Sequence, residues 1–231
     1  MKILLIRRDA TAGNEIKQAI ALLGMNLCDV HRHEQIHIAE LNSKDTCNIY
    51  FFNRHISQFD RIFFMHSPNV ALPLSAGSKS NTFEYCELDA SVVSALQCYA
   101  GKVINAGLLN MSLSIKNRYF LVFLFKSLGW QLHTSLFNLT QVLPDKNEYR
   151  FYLLITTLGH RFYPANDVFR QVLDQTQELI FRTQKAMWER GLDILQVTCI
   201  VENGTLYLVG VSESFQQISA EVLATSLKEI I

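Results

Sequence analysis

The dipeptide Asn203-Gly204 constrains this chain more than any other pair of residues. Asn-Gly between apolar runs is a strong hairpin signal, because both residues accept the positive φ that a type I′ turn demands. Ile194–Glu202 and Thr205–Val211 therefore read as antiparallel strands. Arg150–Thr156 and Gly159–Tyr163 read as a second hairpin upstream. Between the hairpins, a helix from about Asn166 to Arg190 sets Val168, Val172, Thr176, Leu179, Thr183 and Met187 on one face, and Gly191 closes it. This end of the chain is α+β with antiparallel strands.

The start of the chain follows another logic. Lys2–Ile6 is a compact apolar run, expected as a fully buried strand. A loop follows over Arg7–Asn14, then a helix with Ile16, Ala19, Ile20 and Leu23 on one face that stops at Gly24. Strand, loop and helix make the first half of a βαβ unit, so a parallel sheet is expected. The loop holds Gly13 but no GxGxxG, and carries no dinucleotide signature. Asn48–Phe52 and Arg61–Met65 are two more apolar strands, which places Arg54 at a strand's C-terminal end, where open α/β sheets bind ligands. After the Ser-, Pro- and Gly-rich loop Ser67–Asn81, a helix buries Val92, Val93, Leu96 and Tyr99 and ends at Gly101.

Composition excludes several functions. With 49% apolar and 18% charged residues, the 231-residue chain can bury a substantial core in one large domain or two small ones. The 21 basic residues balance 21 acidic ones, so no global field draws it to DNA, RNA or anionic lipid. Neither nucleic acid nor membrane is expected as a partner; the longest apolar run, Tyr119–Phe125, is far too short to span a bilayer. Five cysteines without a CxxC point to reduced thiols and a cytoplasmic protein, and the N-terminus lacks a signal-peptide core. His33-Glu34-Gln35-Ile36-His37 matches HExxH, which on a helix would let His33 and His37 hold zinc with Glu34 as base. The alternation of Ile36 and Ile38 with His37 is strand periodicity instead. On a strand the two histidines would stand ~13 Å apart at about 3.3 Å per residue, too wide for one ion.

Gly101–Asn138 reads as a strand ending in Asn105, a loop, a helix over Ser114–Leu128 closed by Gly129, and another strand. The helix is expected to bury Tyr119, Phe120 and Phe123, with Leu124 and Leu128. This layout resembles the junction where the N-terminal domain of ATP-grasp ligases, of the glutathione synthetase-like and peptide-ligase-like kind, meets their nucleotide-binding core. The match rests on Asn105, Asn117-Arg118, Gly129 and His133-Thr134-Ser135. The resemblance implies a Rossmann-like, pre-ATP-grasp α/β domain over residues 1–138, with a parallel sheet and helices. A remnant α+β ATP-grasp lobe would follow over 139–231. It also makes Arg54, Asn105, Asn117, Arg118 and Arg150 candidate ligand contacts.

Two departures from the family pattern agree with each other. Only about ten residues, Thr140–Tyr149, stand where active ligases place the lobe whose lysine and glycine-rich loop clamp ATP phosphates. On the Asn203-Gly204 hairpin, the positions matching the family's metal-binding acid, glutamate and asparagine are Thr198, Gly210 and Ser212. None offers the carboxylate oxygen a hard dication needs. The expectation is a non-catalytic, degenerate ATP-grasp-like protein without ATP or Mg²⁺ as cofactor. It would act as a binding or scaffold partner of an active ligase or its peptide substrate, or as a homo-oligomer. The alternatives are a small anionic-ligand-binding protein or ATP-dependent ligase remnant using the N-terminal domain, and a zinc hydrolase through His33, Glu34 and His37.

Overall fold

Ile3, Leu4, Leu5 and Ile6 run without a polar interruption, so a strand built from them needs cover on both faces. The structure, a computed structural model, describes residues 1–7, 13–30, 36–41, 47–65, 90–109, 114–133, 150–163, 167–202 and 204–231. At 38–41, 47–48, 114–119, 167–171 and 173–175 it describes the backbone alone. In chain order the first elements are β1 (Lys2–Arg7), α1 (Asn14–Leu22), β2 (Asn26–Val30), β3 (Ile36–Leu41), β4 (Cys47–Phe51), β5 (Arg54–His55), β6 (Arg61–Met65), α2 (90–98) and β7 (Val103–Ile104). There follow α3 (Ser114–Ser127), β8 (Arg150–Thr156), β9 (His160–Tyr163), α4 (Asp167–Glu189), β10 (Ile194–Glu202), β11 (Thr205–Ser212) and α5 (Ala220–Ile230).

The fold is mixed α/β. One sheet is parallel, in the order β2-β1-β6-β7. Its central strand sorts its side chains by alternation. Ile3 and Leu5 pack with Ile16, Ala19 and Ile20 of α1 and with Leu223 and Leu227 of α5. Leu4 and Ile6 turn to the other side, against Phe51, Ile62, Val92 and Leu96. The second sheet is antiparallel, in the order β11-β10-β8-β9. On one face Leu153, Ile155, Leu195 and Val197 pack under Leu121, Leu124 and Phe125 of α3 and Ile180 and Met187 of α4. Leu154 and Ile194 turn to the other face and join α5 in the cluster shared with β1. Thus α5 ties the two sheets into one core.

The segment that follows α3 joins the second sheet. Trp130 Nε1 donates to Thr183 Oγ1 of α4 at 2.9 Å, and Leu132 bridges to Leu208 of β11 in parallel. The proposed boundary at residue 138 lies outside the described residues, as do Thr134 and Ser135. Among the described residues no helix is long and apolar enough to cross a membrane.

Two expectations are corrected. Asn48–Phe52 is not a strand of the parallel sheet: β4 lies in a separate antiparallel sheet, β3-β4-β5. Phe52 and Asn53 both take positive φ, 49° and 60°, and turn the chain straight back so that Arg54 pairs with Phe51. In α3, Phe123 is exposed rather than buried, because Leu121, Val122, Leu124 and Phe125 fill the inward arc.

Candidate functional site

Asn105 ends β7 in the left-handed region, at φ 58°, a conformation Asn adopts more readily than most residues. This turns its side chain into a latch across the two sheets. Its Oδ1 accepts from the backbone N–H groups of Asp193 (2.7 Å) and Ile194 (2.9 Å), and its Nδ2 donates to the Ile194 carbonyl at 2.8 Å. Its own backbone N–H donates to Asp193 Oδ2 at 2.7 Å. The buried Asn105 amide, a candidate ligand contact by sequence, is thus engaged by the start of β10.

Beside the latch, Phe63, Phe64, Met65, Ile104, Ile194, Glu213 and Phe215 enclose with Asn105 a cavity of ≈ 10 Å³. That is about the room one water needs, and far below the size of a small-molecule pocket. Burial pushes the Glu213 carboxyl up to about 7 from its ordinary 4.5. Burial also raises Asp193, opposed by its bond from the Asn105 backbone and by the charge of Arg61. Both acids thus release their proton at higher pH in the folded chain than in the unfolded one. Stability should therefore fall as pH rises from 4.5 to about 7 and level off above. For Glu213 the loss is up to about 3 kcal/mol. Urea unfolding at several pH values should show this slope in the parent protein and most of it gone in Glu213→Gln; an unchanged slope in the variant would refute the assignment.

The hairpin carries the second part of the site. From Thr205 to Leu208, β11 pairs with β10 in the register of a two-residue turn, and continuing it would set Thr198 against Val209. A β-bulge between Thr198 and Cys199 shifts the register by one, so that Thr198 faces Gly210 and Gln196 faces Ser212. The bulge therefore brings Thr198, Gly210 and Ser212 onto a single face. Arg150 pairs with Ile200, two residues from Thr198, and shares that face; Tyr152 pairs with Thr198 between β8 and β10. Crowding does not impose the glycine: a Cβ on Gly210 would meet nothing within 4 Å. The face also holds Gln196, 5% exposed, whose Oε1 is a buried acceptor with no hydrogen-bond partner. Arrayed here are two hydroxyls, a glycine and an amide, and the carboxylates of a metal site are not among them.

The other candidates scatter. Arg54 is exposed in the small antiparallel sheet, and its charge reaches Cys28 of β2, whose thiol is raised by burial and lowered by Arg54. Asn117 and Arg118 lie in the first turns of α3, where the backbone alone is described. His37 stands exposed on β3, so the HExxH match lacks the helix that its chemistry requires; His33 and Glu34 fall outside the described residues. Among the described residues no group of three His, Cys, Asp or Glu could hold a metal. Sequence reading missed Arg7, which ends β1 buried. Its Nε and Nη2 reach Asp29 of β2 at 2.7 and 2.5 Å, and its Nη1 reaches Asn14 of α1 at 3.0 Å. The first arginine of Arg7-Arg8, closing an apolar strand, was the available signal.

By sequence, no family model and no curated protein matches the chain. By structure, the chain is similar to macrocyclase MdnC bound with precursor peptide MdnA from Microcystis aeruginosa MRC. The TM-score is 0.64 at 10% identity, over 100% of this chain and 99% of that one. It is also similar to the ATP-grasp ligase PsnB complexed with precursor peptide PsnA2 and AMPPNP, with TM-score 0.61, 9% identity, and 99% and 97% covered. A Chryseobacterium gregarium RiPP-associated ATP-grasp ligase, in complex with ADP and a leader and core peptide, gives 0.61 at 8% identity, with 99% and 96% covered. The chain has the fold of the ATP-grasp ligases. The resemblance drawn from Asn105, Asn117-Arg118, Gly129 and His133-Thr134-Ser135 thus holds at the level of the fold.

Proposed function

We propose that the chain is a non-catalytic protein on an ATP-grasp scaffold, serving as a binding partner of an active ligase of that fold or of the peptide such a ligase modifies. The observation that carries this reading is the bulged pairing of Thr198 with Gly210, with Ser212 on the same face. These residues stand at the positions matched to the family's metal ligands, and they provide no charged oxygen for a hard dication. The buried Gln196 oxygen on that face is neutral and does not replace a carboxylate. Without Mg²⁺ to bridge and neutralise the phosphates, phosphoryl transfer to a carboxylate loses its main electrostatic support. The precursor peptides bound to MdnC and PsnB favour a peptide or peptide-ligase partner over a small anionic ligand. The parallel sheet with its helices is read as the Rossmann-like, pre-ATP-grasp half, and the protein as cytoplasmic.

Calorimetry with ATP and Mg²⁺ tests the reading directly. No magnesium-dependent heat is expected up to roughly 1 mM nucleotide, a free energy near −4 kcal/mol. Micromolar, magnesium-dependent binding would overturn it.

A further inference from the structure

The shortest strand of the parallel sheet carries the latch. Strand β7 lies at the sheet's edge and pairs only through Ile62 with Val103 and Phe63 with Ile104. Directly after it, Asn105 takes the left-handed conformation and reaches across to Asp193 and Ile194 at the start of β10. At this point the hydrogen bonds of one residue join the two sheets. A segment tied down by so few bonds opens at a lower free energy than the core strands do.

The packing behind the latch is incomplete. The cavity of ≈ 10 Å³ lies between β6, β7 and β10, with Asn105, Glu213 and three phenylalanines among the residues lining it. Burial is the whole cause of the rise at Glu213, and no neighbouring charge contributes to it. The charged groups on the surrounding elements are engaged elsewhere. Arg61 of β6 donates to the Asp60 carbonyl and acts on Asp193, which accepts from the Asn105 N–H. Lys102, before β7, donates to the carbonyls of Ser57 and Phe59, and Arg7 of the neighbouring β1 is held by Asp29. Glu202 stands at the far end of β10, beside His133. A carboxylate formed at Glu213 therefore has no cation to pair with, and only entering water can relieve it.

We infer that the Glu213 cavity is a proton-sensitive hinge: a carboxylate there draws water in beside Asn105 and lets the latch part from β10. The ends of β6 and β7 are then held firmly to β10 in acid and loosened above neutral pH. The carboxyl ends of parallel strands are where open α/β sheets take ligands, so the hinge grades access to that end of the sheet.

Native-state hydrogen exchange of the full chain reads the latch amide by amide. The N–H groups of Asn105, Asp193 and Ile194 should exchange through an opening that low urea leaves unchanged, whereas those of Leu4 and Leu5 in β1 should follow global unfolding. After correction for the intrinsic base-catalysed rate, the opening constant should rise about thirtyfold from pH 5.5 to 8. That ratio is set by a carboxyl at about 7 when the hinge is closed and 4.5 when it is open. Glu213→Gln should lose most of the rise while keeping the circular dichroism of the parent. Glu213→Met, of similar length but without a titrating group, should do the same and guards against a fold defect peculiar to the amide. Latch amides that share the urea dependence of β1 would overturn the inference, because no separate opening would exist. A parent rise below about threefold, or one that both variants retain, would overturn it as well.

Discussion

Gly107→Ala is expected to destabilise the protein by at least about 3 kcal/mol, a drop of roughly 6–12 °C in melting temperature for a chain of this size. A Cβ at this glycine would lie 1.8 Å from the carbonyl oxygen of Arg190 and 3.0 Å from its carbonyl carbon, where no Cβ can stand. The obstruction is backbone on both sides. The turn Ala106–Leu108 lies against the C-terminal end of α4, and the Gly107 N–H donates to the Gly191 carbonyl at 2.9 Å. A methyl group must therefore pry this bond open and push the helix end away from the turn. Gly101→Ala is the matched control, since its Cβ would meet nothing within 4 Å and the change should stay within about 0.5 kcal/mol. Thermal and urea unfolding of the two variants decide the matter. Equal, small effects would show that the close approach of the turn to Arg190 is absent in solution.

That contact also marks what the sequence could not disclose. The glycines that close helices were legible one by one: Gly24, Gly129 and Gly191 all take positive φ, as helix-terminating residues do. Their role is local, fixed by the periodic segment before them. Gly107 has a role only because residue 190 returns to it, and no local pattern announces a partner so distant in sequence. The same limit explains the β4–β5 turn. Asn53 is an ordinary residue at positive φ, but Phe52 is not, so a two-residue hairpin was not expected at Phe52-Asn53 and Arg54 was placed on the wrong sheet. In α3 the aromatic residues were assigned inward by hydrophobicity alone. A helix has one inward arc, and Phe123 does not fall on it.

The candidate site was legible in part. Asn203-Gly204 announces the hairpin, and the flanking strands form as expected, with Gly204 at φ +73°. Yet the plain register of a two-residue turn would set Gly210 and Ser212 on the face opposite Thr198. Only the bulge turns them to the same side. A bulge depends on pairing geometry and cannot be counted off the turn. The grouping of Thr198, Gly210 and Ser212 therefore reached the sequence reading through the family resemblance and needed the structure to give it a physical basis.

Asn105→Ala should cost about 3–5 kcal/mol, because it strands several partners at once. The N–H groups of Asp193 and Ile194 lose their acceptor, and the Ile194 carbonyl loses its donor, in a place where Asn105 is only 8% exposed. Alanine must also hold the left-handed conformation without the local hydrogen bonding that makes Asn tolerable there. Asn105→Asp separates the hydrogen bonds from the backbone strain. Its carboxylate can still accept from both N–H groups, but it has no hydrogen for the Ile194 carbonyl and adds charge next to the Asp193 carboxylate. Its folded-state pKa should therefore lie above the unfolded value. The aspartate variant should approach alanine in instability at pH 8 and gain on the parent protein as pH falls through that raised pKa, where the protonated acid can donate to Ile194. Parallel urea titrations at both pH values, read as differences from the parent so that the slope from Glu213 cancels, provide the measurement. If Asn105→Asp matches the parent at pH 8, the latch is not what joins β7 to β10; if it recovers in acid, Asn105 is the hydrogen-bonded hinge on which the two sheets of this fold are held together.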